Sequence, residues 1–293
     1  MRRALVIDGN HLTYRAYYKF KNLKTIGGIN TSIVFGIPRI LESLVRKFDY
    51  PDKVIVVFDG KKSKYRLGIL PEYKQRDQKL GFDREDFIRQ RQEAMDALGF
   101  LAVPVVYHKN YEADDLIALL TRRLLKYHIT IVSGDKDFNQ LISETIDVYN
   151  VNKGKLLTLD NAYKELGYRA DQTVDFLSLW GDSSDNISGY PGIGEVRAKK
   201  FLEQFGSIKE FLKGDEKFGK TDKILLKEIA LRNKKLIDLK YYYRKNLLKS
   251  KIPYYSNNKD IDLSAFKRFC AINETNSFLK PQFINTFKKL ING

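Results

Sequence analysis

The chain has 293 residues, enough to bury a substantial core in one large α/β domain with a smaller appendage or in two modest domains. Its 52 Lys and Arg against 36 Asp and Glu give a formal net charge of +16, which favours an anionic partner over a neutral small molecule. A lone cysteine, Cys270 in the apolar context KRFCAIN, excludes an intramolecular disulfide and a cysteine-rich zinc site; the histidines His11, His108 and His128 share no metal-ligand spacing.

MRRALVIDGN opens with the apolar run 4–7, which reads as a strand and is too short for a signal-peptide core. Ile33, Val34, Ile37, Ile40, Leu41, Leu44, Val45 and Phe48 then fall on one helical face. VIVVF (54–58) is a second buried strand. Residues 61–92 carry an excess of Lys and Arg in KKSKYR, YKQR and RQRQ. Over 84–92 a solvated charged helix is the simpler reading, while the segment as a whole suits a charged cover for a single nucleic-acid strand. LAVPVVY (101–107) and ITIVS (129–133) read as further strands, with an amphipathic helix over 112–127 between them. Alternating strands and crossover helices imply a largely parallel sheet covered on both faces. No apolar run approaches membrane-spanning length, so the cytoplasm is the expected location.

From Gly167 onward the pattern is mostly helical. Val174, Leu177 and Trp180 share a helical face, and Trp180 reads as core rather than as a base-stacking ring. Glycines at 181, 189, 192 and 194 follow, then a basic amphipathic helix. A glycine-rich hairpin that opens a helix lets backbone N–H groups approach a phosphate, with Arg197, Lys199 and Lys200 adding charge; an ordinary tight turn is the alternative. The rest, rich in Lys and Tyr and including KYYYRK at 240–245, favours packed helices with lysines lying along their surface over an extended duplex track.

Nine carboxylates sit in short motifs of this basic chain: Asp8, Asp59, Glu112, Asp114, Asp115, Asp135, Asp137, Asp182 and Asp185. In open parallel sheets sites form beyond the carboxyl ends of the strands, and Asp8, Asp59 and Asp135 each stand just past such an end. Helix capping accounts for one or two of Glu112, Asp114 and Asp115, but not for the whole set. Gathered acids repel one another and are costly to desolvate, so they call for a compensating cation, and oxygen-liganded Mg²⁺ or Mn²⁺ fits best. A basic surface around an acidic centre is the layout of a metal-dependent nuclease.

VIDGNHLTYRAYY, VVFDGKKSKYR, LPEYK, YEADDLIA, SGDKDFNQL and GDSSDNISGYPGIG, in this order and spacing, resemble the 5′ nuclease superfamily over roughly residues 1–215. That family contains flap endonucleases, the 5′ nuclease domain of bacterial DNA polymerase I and free-standing phage 5′ to 3′ exonucleases. The resemblance implies an α/β nuclease domain over 1–165 with a helical arch at about 61–98. It also implies a mostly helical DNA-binding region over 166–293, with a helix-hairpin-helix (helix-three-turn-helix) motif at about 182–206.

At the matching positions it implies two Mg²⁺ ions, with Mn²⁺ as substitute, held by the nine acids. Glu112, Asp114, Asp135 and Asp137 are expected at the tighter site, with Asp182 and Asp185 nearer the weaker one. LPEYK matches the base of the arch: Lys74 corresponds to the catalytic lysine, Arg66 to an upstream arginine, and Tyr73 is placed to stack on a nucleobase. Arg76 stands one position early for the family's second arginine. Gly192, Ile193, Gly194, Arg197, Lys199 and Lys200 match the DNA-backbone hairpin, where K⁺ on the carbonyls of 192–194 is also implied.

The implied activity is Mg²⁺-dependent flap endonuclease and 5′ to 3′ exonuclease cleavage by a monomer in replication or repair. Its substrates would be DNA with 5′ flaps or single-stranded 5′ ends, and RNA primers in hybrids. Two other readings are a catalytically inactive branched-DNA binder, against which the intact acids argue, and an RNA-processing nuclease, which the glycine hairpin disfavours. No polymerase region follows, and PQFINTFKKLING has Asn285 where a sliding-clamp peptide needs an apolar anchor, so a stand-alone phage or bacterial enzyme is expected.

Overall fold

The computed structural model describes residues 1–75, 82–241 and 251–292. Strand β1 (Arg2–Asp8) runs straight into helix α1 (Gly9–Lys19), followed by α2 (Ser32–Lys47), β2 (Lys53–Phe58) and the short α3 (Lys64–Ile69). Next come α4 (Arg84–Phe100), β3 (Val105–Tyr107), α5 (Ala113–Arg123) and β4 (Tyr127–Val132). A hairpin of β5 (Ile146–Asn150) and β6 (Lys155–Leu157) precedes α6 (Leu159–Leu166), α7 (Thr173–Trp180), and the two-residue strands β7 (Gly181–Asp182) and β8 (Ile187–Ser188). Helices α8 (Glu195–Phe205), α9 (Ile208–Lys213) and α10 (Lys223–Ile237) lead to β9 (Tyr254–Ser256), α11 (Leu263–Ile272) and α12 (Pro281–Asn292).

These elements form two compact units, one within Met1–Gly60, Gln78–Ser133 and Lys251–Gly293, the other within Lys61–Asp77 and Gly134–Ser250. In the first unit the strand order is β4-β1-β2-β3-β9, parallel throughout except for β9, which pairs antiparallel with β3. The near-continuous apolar runs of β1 and β2 are what a sheet buried on both faces requires, and residues 4–7 and 54–58 are all buried. Helix α2 buries the apolar face read from its periodicity and packs on α1 and α4.

Two predicted elements are shorter than their apolar patterns. The strand read over 101–107 reduces to Val105–Tyr107 because Pro104 has no N–H to give the sheet and Leu101 completes the last turn of α4, its amide bonding to the Ala97 carbonyl. The helix read over 112–127 stops at Arg123, since β4 already begins at Tyr127.

The last part of the first unit departs most from the sequence reading. Phe266, Phe269, Phe278, Phe283 and Phe287 are buried in a single aromatic cluster, with the Arg39 guanidinium 5.0 Å from the Phe278 centroid. Helix α11 thereby packs on α4 and α12 on α2. Cys270 is buried, as its context implied. Of KYYYRK, Tyr242, Tyr243, Arg244 and Lys245 lie outside the described residues.

The second unit has its own core, in which Phe176, Leu177, Ile187, Phe201 and Leu226 pack with Leu70 and Tyr73 from the segment after α3. Helix α7, the antiparallel β7–β8 hairpin and α8 make up the helix-hairpin-helix. Trp180 is not core: it is 37 % exposed, with the Lys136 ammonium 4.5 Å from its ring centroid. The reason is that α7 ends at Trp180 and Gly181, at φ 90°, turns the chain away, while Phe176, Leu177 and Leu179 fill the interior. None of the described helices is long and apolar enough to cross a membrane.

Candidate metal centre

In the first unit, Asp8 at the end of β1 lies opposite Val57 of the parallel β2, so Asp8 and Asp59 emerge at the same sheet edge. The Asp59 carboxylate accepts from the Ala113 amide at the start of α5 and from the Asn10 side-chain amide, and Asn10 in turn accepts from the Asp59 amide at 3.3 Å. Gly60 makes this closeness possible. Its amide donates to the Tyr111 carbonyl at 2.9 Å, and a Cβ there would stand 2.1 Å from the His108 carbonyl oxygen. Because backbone is what it would meet, Gly60→Ala should lower unfolding stability by about 1–3 kcal/mol in urea titration, the usual range for overpacking a filled site. An unchanged midpoint would show the 108–111 loop to be loosely held.

Asp8 is buried, accepting from the His11 amide at 2.9 Å and from the Ser133 hydroxyl at 2.8 Å. Burial, then the charges of Asp114 and Asp59, push its pKa up to about 8 despite those two donors. A carboxyl that holds its proton more tightly folded than unfolded makes stability fall as pH rises between its two pKa values. In chelator, melting temperature should therefore drop from about pH 4 to about pH 8 through this group, and Asp8→Asn should reduce that slope and melt higher at pH 8. Parallel melting curves for the two proteins across that range would contradict it. Glu112 and Asp115 are buried, and Asp114, in the first turn of α5, is half-buried.

In the second unit, Asp135 caps the 3₁₀ helix Lys136–Leu141, accepting from the Asp137 amide at 2.9 Å. Asp137, Asp182 and Asp185 are all buried, and each offers a carboxylate oxygen such that the three lie within 4.8 Å of one another. Asp182 accepts from the amide and hydroxyl of Ser184, at 2.9 and 2.6 Å, and its Oδ1 lies 3.1 Å from the Lys136 ammonium. Lys74 Nζ is 3.7 Å from Asp185 Oδ2. Three buried carboxylates this close repel strongly, and an all-oxygen donor set of this kind fits a hard divalent cation.

Lys74 is thus placed beside the triad, and its two neighbours from the sequence reading, Tyr73 and Arg66, are buried. Tyr73, read as a ring for a nucleobase, is 2 % exposed within the second unit's core and presents no free face for stacking. Arg66 is 1 % exposed; its Nε donates to the Leu236 carbonyl at 2.9 Å and its guanidinium lies 5.9 Å from the Tyr73 centroid. The burial of Tyr73 corrects its expected stacking on a nucleobase, while Arg66, bonded to backbone, is held by the fold that surrounds it. Arg76 lies outside the described residues.

At the hairpin, Gly192 has φ 76° and its carbonyl accepts from Arg197 Nη1 at 2.8 Å. Gly194 caps α8, Ile193 is buried, Lys199 pairs with Glu195 at 2.7 Å, and Lys200 is exposed. Sequence reasoning passed over three residues that serve the acids, Asn10, Ser133 and Lys136, and a fourth, Asn186, whose amide bonds the backbone carbonyls on either side of Tyr73 and Lys74. All four lie inside the strings VIDGN, SGDKD and GDSSDN, so motif membership was the available signal.

Comparison with known proteins agrees with this layout. The family described as 5′-3′ exonuclease, N-terminal resolvase-like domain, matches residues 3–167, and the 5′-3′ exonuclease C-terminal SAM fold matches residues 168–257. DNA polymerase I of Mycobacterium tuberculosis is 33% identical over 246 residues, 80% of this chain and 27% of the polymerase, so the chain spans about a quarter of that relative's length. A 5′-3′ exonuclease of Buchnera aphidicola is 28% identical over 280 residues, covering 92% of this chain and 93% of that protein. The crystal structure of bacteriophage T5 flap endonuclease, a pseudo-enzyme-product complex with DNA and metal ions, shares the fold with a TM-score of 0.71 at 23% identity, covering 93% of this chain and 100% of that one. The motif order, the α/β and helix-hairpin-helix architecture and the match over residues 3–167 together establish that this chain belongs to the 5′-3′ exonuclease family.

Proposed function

We propose that the chain is a structure-selective 5′ nuclease that hydrolyses phosphodiesters of DNA with 5′ flaps or single-stranded 5′ ends, and of RNA primers paired to DNA. The observation that carries this reading is the buried Asp137, Asp182 and Asp185 triad with Lys74 and Lys136 beside it. Asp135, Asp137, Asp182 and Asp185 in one unit, and Asp8, Asp59, Glu112, Asp114 and Asp115 in the other, would hold two divalent ions, Mg²⁺ with Mn²⁺ as substitute. Such ions, when bound, lower the pKa of water and stabilise charge on the phosphodiester oxygens.

The chain's own residues do the rest. Lys74 would place a positive charge against the scissile phosphate. Arg66 and Tyr73 support Lys74 from the core, and Arg76 is the candidate second arginine. Gly192, Ile193 and Gly194 would give the duplex backbone a close approach to the start of α8, with Arg197, Lys199 and Lys200 supplying charge and the hairpin carbonyls holding K⁺. We read the division of labour as nuclease chemistry over 1–165, with the arch at about 61–98, and duplex binding over 166–293. The protein acts as a monomer in the cytoplasm of a bacterial cell or phage-infected host, where its substrate lies.

The purified chain should cut a 5′-flap oligonucleotide in Mg²⁺ and stop when the metal is chelated. Binding of the same flap without cleavage in saturating Mg²⁺ and Mn²⁺ would instead make it a branched-DNA binder. Affinity for the flap should fall with salt as several phosphates are neutralised, by roughly 10³-fold between 50 and 200 mM if about six contacts are made. A flat salt response would remove the proposed backbone track.

A further inference from the structure

We infer that Asn186 is a positioning residue for Lys74, an assignment that rests on the nuclease reading and extends it. Asn186 directly follows the short turn Ser183–Asp185 and has left-handed backbone, φ 59°. From there its side-chain amide donates to the carbonyl of Glu72 at 2.9 Å and to that of Gln75 at 3.0 Å. These two carbonyls bracket Tyr73 and Lys74. A third bond runs the other way along the same contact, from the Lys74 amide to the Asp185 carbonyl at 3.1 Å.

The lysine turn needs such a clasp. Lys74 itself has φ 52°, a backbone conformation that L side chains adopt only when their surroundings hold them there. Tyr73, the residue before Lys74, is locked in the core, and Asn186 fixes the carbonyls of Glu72 and Gln75 on either side. Asparagine suits the position on two counts: it tolerates left-handed backbone, and its amide has two hydrogens, which here go to two carbonyls of one turn. The same four residues, 183–186, therefore carry a carboxylate of the acidic triad and the clasp on the lysine. Lys74 Nζ stands 3.7 Å from Asp185 Oδ2 across the two segments that these bonds join.

Asn186→Gly keeps the backbone conformation accessible and removes both donors. Single-turnover cleavage of a 5′ flap at saturating Mg²⁺ should slow by roughly 10- to 100-fold, with flap affinity changed less than about 3-fold. In a Lys74→Ala background the same substitution should cost less than about 2-fold more, since the residue acts through the lysine. Equal slowing in both backgrounds, or none in the parent, would overturn the assignment. Hydrogen exchange gives a readout that needs no cleavage: the Lys74 amide should exchange at least about 10-fold faster in Asn186→Gly. If the parent cut nothing, the nuclease reading would fail on its own, while unchanged exchange at Lys74 would refute the clasp separately.

Discussion

Replacing Asp137 by Asn should slow flap cleavage at saturating Mg²⁺ by more than about 10³-fold, the scale on which losing one preorganised electrostatic partner is felt in the transition state. The argument is one of charge. Asp137, Asp182 and Asp185 are buried together, and the amide that replaces Asp137 keeps the shape while removing a third of the negative charge available to a cation. The same loss should make the metal-free protein more stable, because a repulsion between buried like charges is relieved. The pair of measurements is diagnostic, since a substitution that merely damaged the fold would lower both activity and melting temperature. Cleavage at the parent rate would remove Asp137 from the metal centre.

Lys74→Ala is the second large effect. Its side chain is 18 % exposed, and its ammonium lies 3.7 Å from Asp185 Oδ2 of the triad. Removing it should slow the chemical step by about 10²–10³-fold, or about 2.7–4 kcal/mol of transition-state stabilisation, and change flap affinity by less than about 3-fold. Single-turnover rates and equilibrium binding, measured on one flap, separate the two. An affinity loss as large as the rate loss would make Lys74 a tether for the strand.

The parts of the fold that were legible are those where local pattern and tertiary environment agree. Residues 4–7 and 54–58 are apolar on every side because the sheet is buried on both faces, and the acids past their ends follow from the parallel order. Trp180 and Tyr73 went the other way for one shared reason: period and neighbours give the face of a residue but not what fills the space beneath it. Trp180 occupies a core phase of its helix, yet Phe176 and Leu177 take the interior; Tyr73 sits beside the candidate lysine, yet its ring closes a core built mostly from residue 168 onward. The lysine-rich ending concealed its aromatic cluster because those phenylalanines are partnered by α2 and α4, which lie some two hundred residues earlier. The pairing of Asn186 with the Lys74 turn, 111 and 114 residues apart for its two bonds, is equally invisible to spacing.

The strand Tyr254–Ser256 and the two helices after it have a practical meaning for anyone shortening this protein. A piece cut at residue 250 would keep the six motifs that signal the family and look complete by that measure. It would nonetheless bare the hydrogen-bonding rim of Val105 and Val106 and strip the phenylalanine layer from two helices of the amino-terminal half, a recipe for insoluble aggregates rather than a minimal nuclease.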